Sequence, residues 1–173
     1  MACFAEYISP IGPLILLSDN RALTGLRLGQ FPSEGAVPGA DTPVLAEARA
    51  WLDAYFRGEN AVVSFPLAPE GTEFQKTVWN LLLKIPKGEI RTYGEIAQEM
   101  AGLLGREKMS AQAIGQAVGR NPIGIVIPCH RVLGAGGRLT GYAWGLETKQ
   151  WLLRHENAVF IPEALGGETD DRQ

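Results

Sequence analysis

The chain has 173 residues, 46% hydrophobic and 20% charged, with a net charge of −3: an ordinary globular composition, long enough for one sizeable core or two small lobes. No stretch reaches the roughly eighteen apolar residues a membrane span requires, and the opening MACFAEYISP has no basic region followed by an apolar one, so the expected location is the cytoplasm, with no membrane partner. Cys3, Cys129, His130 and His155 form no C-x-x-C or H-x-x-x-H pair, which excludes a disulfide framework and provides no ligand set for a structural metal.

Residues 1–71 read as a first, α/β lobe, acidic with 4 Lys+Arg against 8 Asp+Glu. Short apolar runs, LILLS at 14–18 and ALTGLRL at 22–28, alternate with turn signals and predict paired strands before the Pro/Gly-rich loop FPSEGAVPGADTP at 31–43. Over 44–57, Leu45, Ala48, Trp51, Leu52 and Tyr55 fall at helical spacing and Gly58 follows as a stop. AVVSFPL at 61–67 predicts a further strand, and APEGT at 68–72 a linker.

Residues 72–160 read as a mostly helical second lobe with 11 Lys+Arg against 7 Asp+Glu, the segment of the chain suited to a polyanion. Thr72 is placed to cap a helix whose apolar stripe runs through Phe74, Val78, Leu81, Leu82 and Ile85 to a stop at Pro86-Lys87-Gly88. Thr92 followed by Glu95 is a capping box opening TYGEIAQEMAGLL. Ser110 caps a third helix over 110–120 that Asn121-Pro122 ends, and two short helices joined by a Gly-containing loop have the form of a helix-turn-helix. Residues 161–173, with 1 Lys+Arg against 4 Asp+Glu and few apolar residues, are expected to be a disordered tail.

GIVIPCHRV, at 124–132, sets one of two cysteines beside one of two histidines. Taken alone, Cys129 is a small hydrophobe closing a core strand over IVIP; on a strand its side chain would face away from that of His130, an objection that a bridging water or a helical turn at Pro128 removes. The wider pattern says more: an Asn eight residues before Cys129, Gly-Tyr ending thirteen residues after it and a Glu twenty-seven after it. NPIGIVIPCHRV, LTGYAWG and WLLRHE together resemble the O6-alkylguanine-DNA alkyltransferases, the methylated-DNA–protein-cysteine methyltransferases, in detail over 73–157 and in outline over the first lobe.

The resemblance implies a ribonuclease H-like α/β first lobe and a winged-helix-like, helix-turn-helix second lobe that enters the minor groove of double-stranded DNA and flips an alkylated guanine into a pocket. It implies a cofactor-free monomer that moves the alkyl group of O6-alkylguanine, and of O4-alkylthymine, irreversibly and once to Cys129. Displacement at a saturated carbon calls for a soft nucleophile, and a thiol of pKa near 8.5 needs activation. By the same resemblance His130 acts on Cys129 through a water and Glu156 orients the imidazole, as in a triad. Asn121 ties the recognition helix to the active segment, and Tyr93 and Lys149 protonate or polarise the leaving purine. Tyr142 walls the base pocket beside Val118 and Trp144, Val132 and Cys129 offer carbonyls to the exocyclic amine, and the Ala143 N–H faces O6. Ser110, Ala111, Gln112, Arg120 and Arg131 are expected on the DNA. His155 reads as a residue answering a helix C-terminal dipole.

The family pattern has an arginine wedge where this chain has Gln112, with Arg106 and Lys108 just upstream. Competing assignments are a lesion-binding relative without transfer, which would lack Cys129, a plain helix-turn-helix DNA-binding protein, which would not need Cys129 or Glu156, and a cysteine hydrolase, which would not need the helix-turn-helix.

Overall fold

The computed structural model describes residues 2–29, 35–40 and 42–162, in two units. The first holds Met1–Glu70 with Pro122–Val126; the second holds Gly71–Asn121 and the chain from Ile127 onward. A contiguous division near residue 71 would leave 122–126 in the second lobe. Backbone pairing places it otherwise, because Leu26 N–H donates to Pro122 C=O (2.9 Å) and Gly124 N–H donates to Leu26 C=O (3.2 Å).

In the first unit β1 (Cys3–Ser9), β2 (Gly12–Ser18) and β3 (Leu23–Leu28) form an antiparallel meander, and β4 (Val37–Pro38) adds in parallel to β1, giving the order β3-β2-β1-β4. The β2–β3 connection is an Asx-turn in which Asp19 Oδ1 accepts the N–H groups of Arg21 (2.7 Å) and Ala22 (2.8 Å). β1 carries no apolar alternation to announce it: Ala5 and Ser9 are buried while Ile8 is 79% exposed. Helix α1 (Pro43–Phe56) starts with a proline whose fixed φ suits a first helical turn, and packs across β1, β2 and β3 with Val44, Leu45, Ala48, Leu52 and Tyr55 buried. The strand expected over 61–67 does not form. Val62 is 83% exposed, Pro66 has no N–H to donate, and a single parallel bridge joins Leu67 to Leu23.

The second unit opens with α2 (Glu73–Leu82), capped reciprocally by Thr72 and Gln75, and the buried Trp79 donates its indole N–H to Ala117 C=O (2.9 Å), fastening α2 to a later helix. β5 (Arg91–Thr92) runs straight into α3 (Tyr93–Leu104), where Thr92 and Glu95 close a second capping box, each such cap stabilising by about 1 kcal/mol. Gly105 ends α3 in the left-handed region at φ 69°, and α4 (Ala111–Gly119) starts from Ser110, whose hydroxyl accepts Ala113 N–H (2.9 Å). β6 (Val132–Leu133) pairs in parallel with β5, and α5 (Leu146–His155) packs its Leu153 into a small cluster with Leu133 and Leu139. Leu139 N–H donates to Ile161 C=O (3.0 Å) and Ile161 N–H to Gly137 C=O (2.8 Å), so pairing reaches one residue into the expected tail. Residues 163–173, where the rest of that expectation falls, lie outside the described residues.

Candidate active site

Of the two local readings of the segment before Cys129, a core strand or a turn at Pro128, the chain takes the turn. Ile125 sits at φ 65° with Val126 N–H bonded to Gly124 C=O (2.7 Å), and Cys129 N–H bonds back to Ile127 C=O (2.7 Å) around Pro128 at φ −80°, ψ 66°. These are three-residue γ-turns, which have no strand period, and a positive φ on a β-branched residue costs roughly 1–3 kcal/mol. A single turn of 3₁₀-helix, Cys129–Arg131, follows. Consecutive side chains on such a turn lie about a third of a revolution apart, so Cys129 and His130 are not sent to opposite faces. Asn121, just after α4, donates from Nδ2 to Ile127 C=O (2.8 Å) and so joins the end of that helix to the residues leading into Cys129.

His130 and Glu156 are buried, and His130 Nε2 lies 2.7 Å from Glu156 Oε2. Arg131 closes the group: Nε donates to Glu156 Oε1 (2.8 Å), Nη2 to Glu156 Oε2 (3.0 Å) and Nη1 to Ile85 C=O (2.6 Å). Burial works against the carboxylate, yet the hydrogen bonds of His130 and Arg131 and the guanidinium charge of Arg131 hold it well below the usual carboxylate range. Glu156 is therefore an acceptor, and the Nε2 proton belongs to the histidine. Burial also lowers the pKa of His130, against the pull of Glu156, so the imidazole is neutral. Gly88 lets the turn after α2 pass close by: its φ is +88°, and a Cβ there would stand 3.2 Å from Glu156 C=O.

Cys129 is 8% exposed, and burial pushes its thiol above the ordinary range; the neighbouring Asn121 and Tyr142 side chains and the charge of Lys149 pull it back in part. At neutral pH Cys129 is thus a thiol, and any chemistry through its thiolate requires that a proton be removed. Lys149 reaches the same place from α5, fully buried. Its ammonium donates to the carbonyls of Thr140 (3.2 Å) and Gly141 (3.1 Å) and lies 5.9 and 5.8 Å from the ring centroids of Tyr93 and Tyr142. Desolvation draws it down to about 8, and negative charge on Cys129 opposes that shift. Burial holds Tyr93 above its ordinary value, protonated at neutral pH. Trp144 packs edge-to-face on Tyr142 (5.9 Å, 61°), and Ala143 beside it is exposed. Val132 is buried on β6 with its N–H on Cys129 C=O.

The other expected residues divide by exposure. Ser110, Ala111, Gln112 and Arg120 are exposed along α4 and its ends, whereas Val118 is buried with Ile114 and Ala117 on the helix's inner face. A Cβ added at Gly115 would lie 3.9 Å from the Tyr93 ring, which puts α4 next to the site. Arg131 does not face DNA. Its guanidinium is buried and committed to Glu156 and Ile85, geometry that a carboxylate twenty-five residues away in sequence does not announce. The contributions of Ile85 C=O and Thr140 C=O are likewise backbone acceptors with no side-chain signature. His155 stacks on Trp151 at 4.8 Å in the last turn of α5. Among the described residues no group of three or more His, Cys, Asp or Glu is arranged to hold a metal.

Comparison with known proteins agrees over both units. Residues 73–158 match the family model described as 6-O-methylguanine DNA methyltransferase, DNA binding domain, and residues 4–69 match its ribonuclease-like domain. The methylated-DNA–protein-cysteine methyltransferase of Methanosarcina acetivorans is 47% identical over 158 residues, spanning 90% of this chain and 98% of that protein. That of Mycobacterium leprae is 47% identical, spanning 86% and 88%. The crystal structure of Mycobacterium tuberculosis O6-methylguanine methyltransferase aligns with a TM-score of 0.78 at 42% identity over 91% of this chain and 93% of that one. A structure of the Mycobacterium tuberculosis OGT in complex with DNA aligns equally well, over 89% and 92%.

Proposed function

Because the chain belongs to the 6-O-methylguanine DNA methyltransferase family, we propose that Cys129 is the residue on which it takes up the alkyl group, with His130, Glu156, Tyr93, Lys149, Asn121 and Tyr142 serving that one transfer. The protein repairs DNA by direct transfer of an alkyl group from guanine O6 to a cysteine of its own. The single observation carrying the assignment is the contrast between its two cysteines: Cys3 lies part-exposed on β1, while Cys129 is buried beside a lysine, a tyrosine and an asparagine that act on its thiol.

In the reaction the S–H bond breaks, its proton passes through a water to His130 and its electron pair attacks the alkyl carbon. The carbon–O6 bond breaks, the released pair stays on the purine, and Tyr93, kept protonated by burial, supplies the proton that neutralises it. Lys149 lowers the cost of the transient thiolate. The thioether is not hydrolysed, so each molecule reacts once. Tyr142 and Trp144 form the aromatic side of the base site, Val132 and Cys129 carbonyls and the Ala143 N–H read the purine edge, and Ser110, Ala111, Gln112 and Arg120 present α4 to the minor groove. O4-alkylthymine fits the same chemistry as a second substrate. Both cysteines are free, and a reaction that consumes a reduced thiol suits a reducing compartment, the cytoplasm.

Incubation with a duplex bearing O6-methylguanine, followed by intact-mass and peptide mass measurement, should find one methyl per molecule, on Cys129. Cys129→Ser should bind the duplex and gain none. A methyl on Cys3, or turnover beyond one equivalent, would refute the assignment.

A further inference from the structure

A carboxylate bonded to a histidine ordinarily does two things at once: it fixes the tautomer, and it favours the imidazolium. Only the first is useful at this site. His130 Nε2 is taken by Glu156 Oε2 (2.7 Å), and its buried Nδ1 has no hydrogen-bond partner among the described residues. An imidazolium would carry a proton on Nδ1 and could accept none.

Arg131 separates the two effects. Its fork holds both oxygens of Glu156 (2.8 and 3.0 Å), and its third contact, on Ile85 C=O (2.6 Å), anchors the guanidinium in place. The negative charge is thereby balanced by a group that never deprotonates, while one carboxylate oxygen still accepts Nε2–H. The charged groups facing the imidazole are Glu156 at the end of α5, Arg131 beside it in the chain and Lys149 on α5, two cations against one anion; the segment after α2 contributes the Ile85 carbonyl.

We propose that Arg131 is a positioning residue that keeps His130 a neutral Nε2–H imidazole, leaving Nδ1 open to take the Cys129 proton below neutral pH. This rests on Cys129 being the acceptor. It gives a reason for the Cys-His-Arg run: nucleophile, base and the counter-charge of the base's own orienter sit on one 3₁₀ turn.

The test uses full-length protein carrying His155→Gln, so that His130 is the single histidine, labelled with ¹⁵N in the ring. In this protein the ring spectrum should stay that of the Nε2–H tautomer from about pH 8 to pH 5.5, below the ordinary histidine pKa near 6.5. In Arg131→Met, Glu156 faces His130 uncompensated, and the spectrum should turn to imidazolium as pH falls from 8 to 6. Single-turnover methyl transfer from a duplex should then fall at pH 6 but not at pH 8.5, about ten-fold for every tenfold excess of imidazolium over imidazole. Arg131→Lys, which keeps a charge but not the fork, should lie between, and its spectrum decides the matter should the methionine variant not fold. Imidazolium formation near pH 6.5 with Arg131 in place would overturn the proposal, as would a variant that loses transfer equally at both pH values with an unchanged ring spectrum. Absence of transfer in the parent would instead refute the role of Cys129, while the spectrum still reports on Arg131.

Discussion

Lys149 is the most expensive residue in the site: an ammonium with no exposure, held by two carbonyls and two aromatic rings. Its pKa falls from 10.5 to about 8, so between those values the unfolded chain holds a proton that the folded one has released. Stability therefore rises with pH across that window, and below about 8 the burial penalty is present in full. Compared by urea unfolding, the protein should gain on Lys149→Met by about 3 kcal/mol between pH 7 and pH 10.5, since each tenfold loss of proton affinity on folding corresponds to roughly 1.4 kcal/mol. The same variant should transfer methyl at least about ten-fold more slowly, since one decade corresponds to about 1.4 kcal/mol of transition-state stabilisation. A pH-independent stability difference would mean that the ammonium is not held at a cost. If Cys129 acts as the proposed acceptor, a buried charge beside its thiol trades stability for a thiolate that can form during the transfer.

At the level of elements, α4 carries two attachments: Trp79 on its inner side, through Ala117 C=O, and Asn121 at its end, through Ile127 C=O. Its outer side presents Gln112, exposed in the first turn. A charged hydrogen bond to the base left behind by flipping is worth roughly 1.5–3 kcal/mol against about 1 for a neutral one. Gln112→Arg should then speed repair of duplex DNA about ten-fold and leave reaction with free O6-methylguanine base unchanged. Equal responses from both substrates, or none, would move the wedge to another exposed cation, Arg106, Lys108 or Arg120.

Across the whole chain the charge is divided, with an acidic segment over 1–71 and an excess of Lys+Arg over 72–160. DNA attraction then comes from few phosphate contacts, and affinity should fall with salt along a shallow line, since the slope counts neutralised phosphates. Arg120 is exposed at the C-cap of α4. Arg120→Ala should lower affinity for methylated and unmethylated duplexes alike and reduce the slope of log Kd against log salt by about one. A slope that does not change, measured by fluorescence anisotropy over a salt series, would take Arg120 off the DNA.

Local chemistry made much of this legible in the amino-acid order. Thr72, Thr92 with Glu95, and Ser110 mark helix starts because a cap is a contact within three residues, and helical spacing exposed the buried face of α1. The pattern from Asn121 through Cys129 to Glu156 carried the resemblance to the family to which the chain belongs. Apolar content alone was misleading in two places, at 61–67 and over IVIP, since it does not tell a strand from an exposed loop or a buried turn; Pro66 and the positive φ of Ile125 do. β1 escaped for the opposite reason, its buried positions being small or polar. The resemblance supplied the pairing of His130 with Glu156, but not that of Arg131, which was expected on the DNA and which folding brings to Glu156 and the Ile85 carbonyl. Whether a guanidinium meets solvent or a carboxylate depends on which distant segments pack around it, and a buried position tolerates the charge only where those segments supply every partner it needs.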